Sequence, residues 1–137
     1  MISARNKIPG KVVEVQEGAV NGIVKVETAG GNRVSATISM EAIRDLGITV
    51  GKEVTAVVKA TEVMMANEKL RISARNQYEG TVSSIELGAV NAIVKLDVEP
   101  AFGVTSTISI EAVKDLGLEV GKKAVAVVKA TSVMISA

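Results

Sequence analysis

Ile2-Ser3-Ala4-Arg5-Asn6 recurs letter for letter as Ile72-Ser73-Ala74-Arg75-Asn76, and this recurrence decides how the chain folds. Working outward, Gly18-Ala19-Val20-Asn21 recurs as Gly88-Ala89-Val90-Asn91, and Val57-Val58-Lys59-Ala60-Thr61 as Val127-Val128-Lys129-Ala130-Thr131. All three pairs share one offset, 70 residues, as from Ile2 to Ile72, so the two copies align without a gap. Roughly half of the aligned positions are identical, which marks a tandem duplication. The expected organisation is one small domain over residues 1–66, a polar joint over 67–71 and a second domain over 72–137.

Each copy reads mainly as strand. Lys11-Val12-Val13-Glu14-Val15 is rich in β-branched residues, and Ile23-Val24-Lys25-Val26-Glu27 alternates apolar with polar. Gly18 and Asn21 tolerate the backbone angles of the turn between them. Gly30-Gly31-Asn32 makes a second turn into Val34-Ser35-Ala36-Thr37-Ile38. In the other copy that turn is Pro100-Ala101-Phe102-Gly103, so its shape should differ. Ser39 is placed to cap a short helix, Glu41 suits its first turn, Gly47 suits its end, and Ile43 with Leu46 would form its apolar face. Val54–Lys59 is the fourth strand, and Val63-Met64-Met65 is expected to close its own unit. Three strands, a helix and two strands is the order of an OB-type barrel. The fold class is therefore all-β, with two tandem OB-type five-stranded barrels, each with one short helix.

Composition removes several functions. The 137 residues contain no Cys and no His, which excludes thiolate or imidazole metal ligands, cysteine nucleophiles and the commonest general base. Sixteen Lys+Arg against 15 Asp+Glu leave a net charge of +1, too balanced for a polyanion partner. With one Tyr and one Phe there is little to stack on bases, so an OB-fold nucleic-acid-binding module remains only the alternative reading. The carboxylates are scattered and suggest no acid–base pair, and no cofactor is called for. No apolar run approaches membrane-spanning length, and a cytoplasmic protein is expected. Mean hydropathy is +0.34, while a half of about 66 residues can bury only about 60% of its unfolded surface. The apolar surplus points to an oligomer.

Alternate residues of a strand share a face. Ser3 with Arg5, Lys59 with Thr61, Ser73 with Arg75 and Lys129 with Thr131 each set a hydroxyl beside a cation. Such groups, with backbone amides near Asn6 and Ala60, suit a small oxyanion. On spacing alone, ordinary solvated strand-end polarity is the favoured reading. The turns at Ala19-Val20-Asn21 and Ala89-Val90-Asn91 could likewise present amides to an anion, but spacing alone favours hairpin turns and nothing more. Gly47-Ile48-Thr49-Val50-Gly51-Lys52 fails as a phosphate loop, because its glycines are too close and Glu53 follows the Lys.

The three motifs, in this order and twice over, resemble the Mop domain of molbindins, and the resemblance covers essentially the whole chain. It implies an OB-type fold, no enzymatic activity, no metal bound as a cation, and binding of molybdate or tungstate as the ligand for molybdenum storage and homeostasis. It also implies a homotrimer carrying six domains, with oxyanions at interfaces between domains and neither nucleic acid nor membrane as partner. Carried over, Ser3, Arg5, Asn6, Lys59, Ala60 and Thr61 form the main oxyanion site, and Ser73, Arg75, Asn76, Lys129, Ala130 and Thr131 form it again. Ala19, Val20, Asn21, Ala89, Val90 and Asn91 correspond to a second site near the ring axis. Thr61 and Thr131 depart from the Ser or Pro of some members, but keep a hydroxyl. Neither a DNA-binding helix-turn-helix nor an ATPase accompanies the repeats, so a free-standing binding protein is expected.

Overall fold

The computed structural model describes residues 2–137. The first repeat gives strands β1 (Asn6–Gln16), β2 (Asn21–Glu27) and β3 (Arg33–Ser39), helix α1 (Met40–Asp45), and strands β4 (Glu53–Val58) and β5 (Met64–Ala66). The second gives β6 (Asn76–Leu87), β7 (Asn91–Glu99), β8 (Phe102–Ser109), α2 (Ile110–Leu116), β9 (Lys123–Val128) and β10 (Met134–Ser136). A 3-10 turn, Ala60–Glu62 or Ala130–Ser132, stands before each last strand.

The expected all-β architecture is present, with one departure. One antiparallel sheet runs β10-β4-β1-β2-β3 and the other β5-β9-β6-β7-β8, so each sheet takes one edge strand from the other repeat. Met64 pairs with Val127 and Ala66 with Val125, while Met134 pairs with Val57 and Ser136 with Thr55. Val63-Met64-Met65 therefore closes the opposite unit, not its own. The physical reason lies in the chain just before it. The turn Ala60–Glu62 packs on β8 and Ala130–Ser132 packs on β3, which delivers each last strand to the other repeat's sheet; on one side the buried Ser106 hydroxyl adds a bond to the Val63 carbonyl at 2.5 Å. In each sheet the edge strands approach one another, β10 with β3 and β5 with β8, curling it towards a barrel.

The strands are as amphipathic or as doubly apolar as their surroundings require. β2 buries Gly22, Val24 and Val26 on one face, whereas β4 buries Val54, Ala56, Val57 and Val58 in near succession. β9 is buried on both faces, and Val125 and Val127 lie under Ala66 and Ala74. The main core runs through both repeats, from Ile8, Val34 and Val58 to Tyr78, Leu96, Phe102 and Val128. The two units thus share one interior, which is where much of the apolar surplus goes.

Ser39 caps α1 as expected, its hydroxyl accepting from the Ala42 amide at 3.0 Å, and Ser109 repeats the bond to Ala112 at 3.0 Å. Met40 and Ile43, rather than Ile43 and Leu46, form the buried face of α1. The helix stops at Asp45, so Leu46 is its cap and stays 37% exposed. α1 lies so close to β2 that a Cβ on Gly22 would stand 2.6 Å from the Ile43 Cδ1. The β2–β3 and β7–β8 turns do differ: β7 reaches Glu99 and β8 starts at Phe102, leaving Pro100 and Ala101 between them. The joint is pinned by Gln77, whose amide exchanges two hydrogen bonds with the Leu70 backbone, at 2.8 and 2.7 Å.

Candidate functional site

Two hollows carry most of the residues picked out by the repeat motifs. One, of about 250 Å³, is lined by Ser3, Ala4 and Arg5 before β1 and by Lys59, Ala60 and Thr61 after β4. β1 and β4 are antiparallel neighbours with Asn6 opposite Val58, so the start of one strand and the end of the other meet at the same edge. The second hollow, of about 460 Å³, gathers Ser73, Ala74 and Arg75 with Lys129, Ala130 and Thr131 in the same way beside β6 and β9.

Each pocket also receives residues from the other repeat. Thr107 on β8 and Met134 on β10 complete the first, and Thr37 on β3 and Met64 on β5 complete the second. These four were not found from the sequence. Their one available signal was the repeat itself, since Thr37-Ile38-Ser39 recurs as Thr107-Ile108-Ser109. Each pocket thus offers one guanidinium, one ammonium and three hydroxyls, with no carboxylate in the lining.

The cations are free to act on a ligand. The ion pairs among the described residues are Lys25–Glu14, Arg33–Glu27 and Lys122–Glu119, so none involves Arg5, Lys59, Arg75 or Lys129. In each 3-10 turn the bonds run from the third amide onwards, as in Glu62 N–H to the Lys59 carbonyl at 2.9 Å. The amides of Ala60 and Thr61 precede these bonds and are not used by them. Cations, hydroxyls and spare amides without a carboxylate favour a ligand that only accepts hydrogen bonds.

Asn6 and Asn76 are not brought to the pockets. Asn6 is 3% exposed, and its amide is committed to β8: the Thr105 amide donates to Oδ1 at 2.7 Å and Nδ2 donates to the Thr105 carbonyl at 2.8 Å. Asn76, 2% exposed, grips Ser35 of β3 identically, at 2.8 and 2.9 Å, and also accepts from the Tyr78 hydroxyl at 3.1 Å. Each side chain acts as a strand-pairing unit across the repeats. The turns at Ala19-Val20-Asn21 and Ala89-Val90-Asn91 lie on the surface, with Val20 74% and Val90 72% exposed, and line neither pocket.

A third contact between repeats has no twin. The turn before β3 holds the Glu99 carboxylate through the Gly30 amide at 3.0 Å and the Asn32 side chain at 2.6 Å. Partial burial pushes the Glu99 pKa up, but hydrogen bonds from Asn32, Thr28 and Gly30 outweigh it and hold the carboxyl below its ordinary value. Tyr78 and Phe102, edge to face at 5.1 Å, are both buried at the same junction, and burial pushes the Tyr78 phenol upward. Neither aromatic is presented to a base.

Elsewhere, a groove of about 670 Å³ runs past Pro9–Lys11 and the chain end at Ser136 and Ala137, but Glu27 and Glu53 lie along it, which disfavours an anion. Among the described residues no group of acidic side chains is arranged to hold a metal cation, and no helix is long and apolar enough to cross a membrane.

The TOBE domain family model matches residues 2–65 and again 72–135. The molybdenum transport protein ModE of Herbaspirillum seropedicae is 35% identical over 98% of this chain and 51% of its own length. A probable molybdenum-pterin-binding protein of Haemophilus influenzae is 58% identical over 49% of this chain and 97% of its own. The chain thus spans about half the length of ModE and is about twice as long as the single-repeat relative. A crystal structure of the cytoplasmic molybdate-binding protein ModG with molybdate bound superposes with a TM-score of 0.95 at 44% identity, covering 98% of this chain and 97% of that one.

Proposed function

The chain belongs to the TOBE domain family, and from that premise we propose that it binds molybdate, or tungstate, in the two cationic pockets and serves as a store for the oxyanion rather than as an enzyme. One observation carries this reading: a pocket of one Arg, one Lys and three hydroxyls, without a carboxylate or an ion pair, is built twice at a fixed offset. The proposed ligands are Ser3, Arg5, Lys59, Ala60 and Thr61 in one pocket and Ser73, Arg75, Lys129, Ala130 and Thr131 in the other. Asn6 and Asn76 hold the strand starts in place beside them.

Molybdate carries no proton at neutral pH and only accepts hydrogen bonds. Hydrogen phosphate also donates one and favours a site with a carboxylate acceptor, which these pockets lack. The likeness to ModG, which its crystal structure holds with molybdate bound, supports the same ligand here. Its description as cytoplasmic supports that location for this chain. The exposed turns at Ala19-Val20-Asn21 and Ala89-Val90-Asn91 are proposed to form the second oxyanion site where copies meet in a homotrimer, which would also cover Val20 and Val90.

Incubating the protein with equal molybdate, sulfate and phosphate, followed by desalting and elemental analysis, tests the reading. Molybdenum should be retained in clear excess over sulfur added as sulfate and over phosphorus. Retention of phosphate in place of molybdate would contradict it.

A further inference from the structure

The two pockets are built alike, but the residue that follows their motif is not the same. Glu62 comes directly after Thr61, and at the equivalent place after Thr131 stands Ser132. The two residues touch: the Ser132 hydroxyl donates to Glu62 Oε2 at 3.2 Å. The contact brings the two 3-10 turns together and holds one carboxylate between them, adjacent in sequence to one pocket and in contact with the turn that lines the other. Glu62 takes part in no ion pair among the described residues, so its charge is not locally neutralised.

We propose that Glu62 is an affinity-setting residue: its carboxylate repels the oxyanion at both pockets and keeps the bound ligand exchangeable. The inference rests on the molybdate reading above. Adjacent Cα atoms are 3.8 Å apart, so the carboxylate stands on the order of 10 Å from an anion held at Thr61. A single charge and a dianion at about 10 Å, in a medium close to water, repel enough to weaken binding roughly threefold near 0.01 M salt and roughly twofold or less near 0.1 M. A store gains from this arrangement, since the cationic donors capture the ligand and the nearby carboxylate limits how tightly it is kept.

The test is calorimetric titration of molybdate into the whole protein and its variants at both salt concentrations. Glu62→Gln keeps an acceptor for Ser132 and removes the charge. It should bind roughly threefold tighter at 0.01 M, with the gain shrinking to roughly twofold or less at 0.1 M. Ser132→Glu adds a second carboxylate and should weaken binding by a similar factor. Ser132→Ala breaks the hydrogen bond but keeps the charge, and should leave affinity within about twofold. If wild type binds and Glu62→Gln matches it at both salts, the inference is overturned and the molybdate reading stands. An equal, salt-independent gain in Glu62→Gln and Ser132→Ala would assign Glu62 a packing role and also overturn it. Failure of the wild-type protein to bind molybdate would overturn both.

Discussion

Asn6 and Asn76 separate a ligand-binding account of the Ser-Ala-Arg-Asn motif from a structural one. Replacing Asn6 with Ala removes a buried amide that satisfies both the N–H and the C=O of Thr105 on the other repeat's strand. Each backbone group left partly buried without a partner costs about 1–3 kcal/mol, less whatever water recovers. A loss of about 2–4 kcal/mol is therefore expected for Asn6→Ala. For Asn76→Ala a similar loss is expected, since the single proton of the Tyr78 hydroxyl keeps its nearer acceptor, the Arg33 carbonyl at 2.8 Å. Either loss is a large share of a total stability near 5–15 kcal/mol. Guanidinium unfolding at a fixed chain concentration measures it, and the concentration must be held because assembly contributes to apparent stability. The same variants, kept well below their unfolding midpoint, should bind molybdate with affinity close to wild type. A stability change under about 0.5 kcal/mol, or a loss of binding with stability intact, would refute the assignment of these side chains to strand pairing.

Three further outcomes follow from the contacts between repeats. Gly30→Ala would set a Cβ 2.0 Å from Glu99 Oε2, so the turn must release the carboxylate; thermal unfolding should show a loss of about 1–2 kcal/mol, and none in Gly31→Ala beyond its positive-φ strain. Because the folded-state pKa of Glu99 is lowered, its contribution is present above the ordinary carboxylate value of 4.5 and is lost as pH falls below it; Glu99→Gln should lose stability at pH 7 and show less dependence on acid than wild type in urea titrations. Residues 1–66 alone lack the strand that pairs with Glu53–Val58 in the whole chain, so in sedimentation they should self-associate by exchanging Met64–Ala66 between copies, and a folded monomer would contradict the exchange.

The duplication, the strand order and the Ser39 cap were legible because each is carried by local sequence or by the repeat, whereas the grouping of Ser3 and Arg5 with Lys59 and Thr61 came from the family resemblance and not from spacing. The exchange of β5 and β10 was not legible. Val57 and Val127 sit in identical Val-Val-Lys-Ala-Thr segments, so Met64 finds the same partner on either sheet and pattern cannot say which one it joins. What decides is the packing of each 3-10 turn on a strand of the other repeat, Ala60–Glu62 on β8 and Ala130–Ser132 on β3, contacts distant in sequence. Thr37, Thr107, Met64 and Met134 were missed for the same reason, since they reach a pocket only once the repeats are packed together. Asn6 was placed beside the right residues, but the direction of its side chain depends on a strand from the other repeat that the motif does not contain.

The central claim is that the paired cations of the two pockets hold the oxyanion, and equilibrium dialysis against molybdate with elemental analysis tests it most directly in wild type and in the double variant Arg5→Ala, Arg75→Ala. Both guanidinium groups are exposed and take part in no ion pair, so the fold should survive their loss. Each lost charge-assisted hydrogen bond should cost about 1.5–3 kcal/mol of binding at its site, roughly a ten- to hundredfold drop in affinity. The account predicts molybdenum bound to wild type and largely absent from the folded double variant at the same free concentration, whereas equal retention by the two proteins would contradict it.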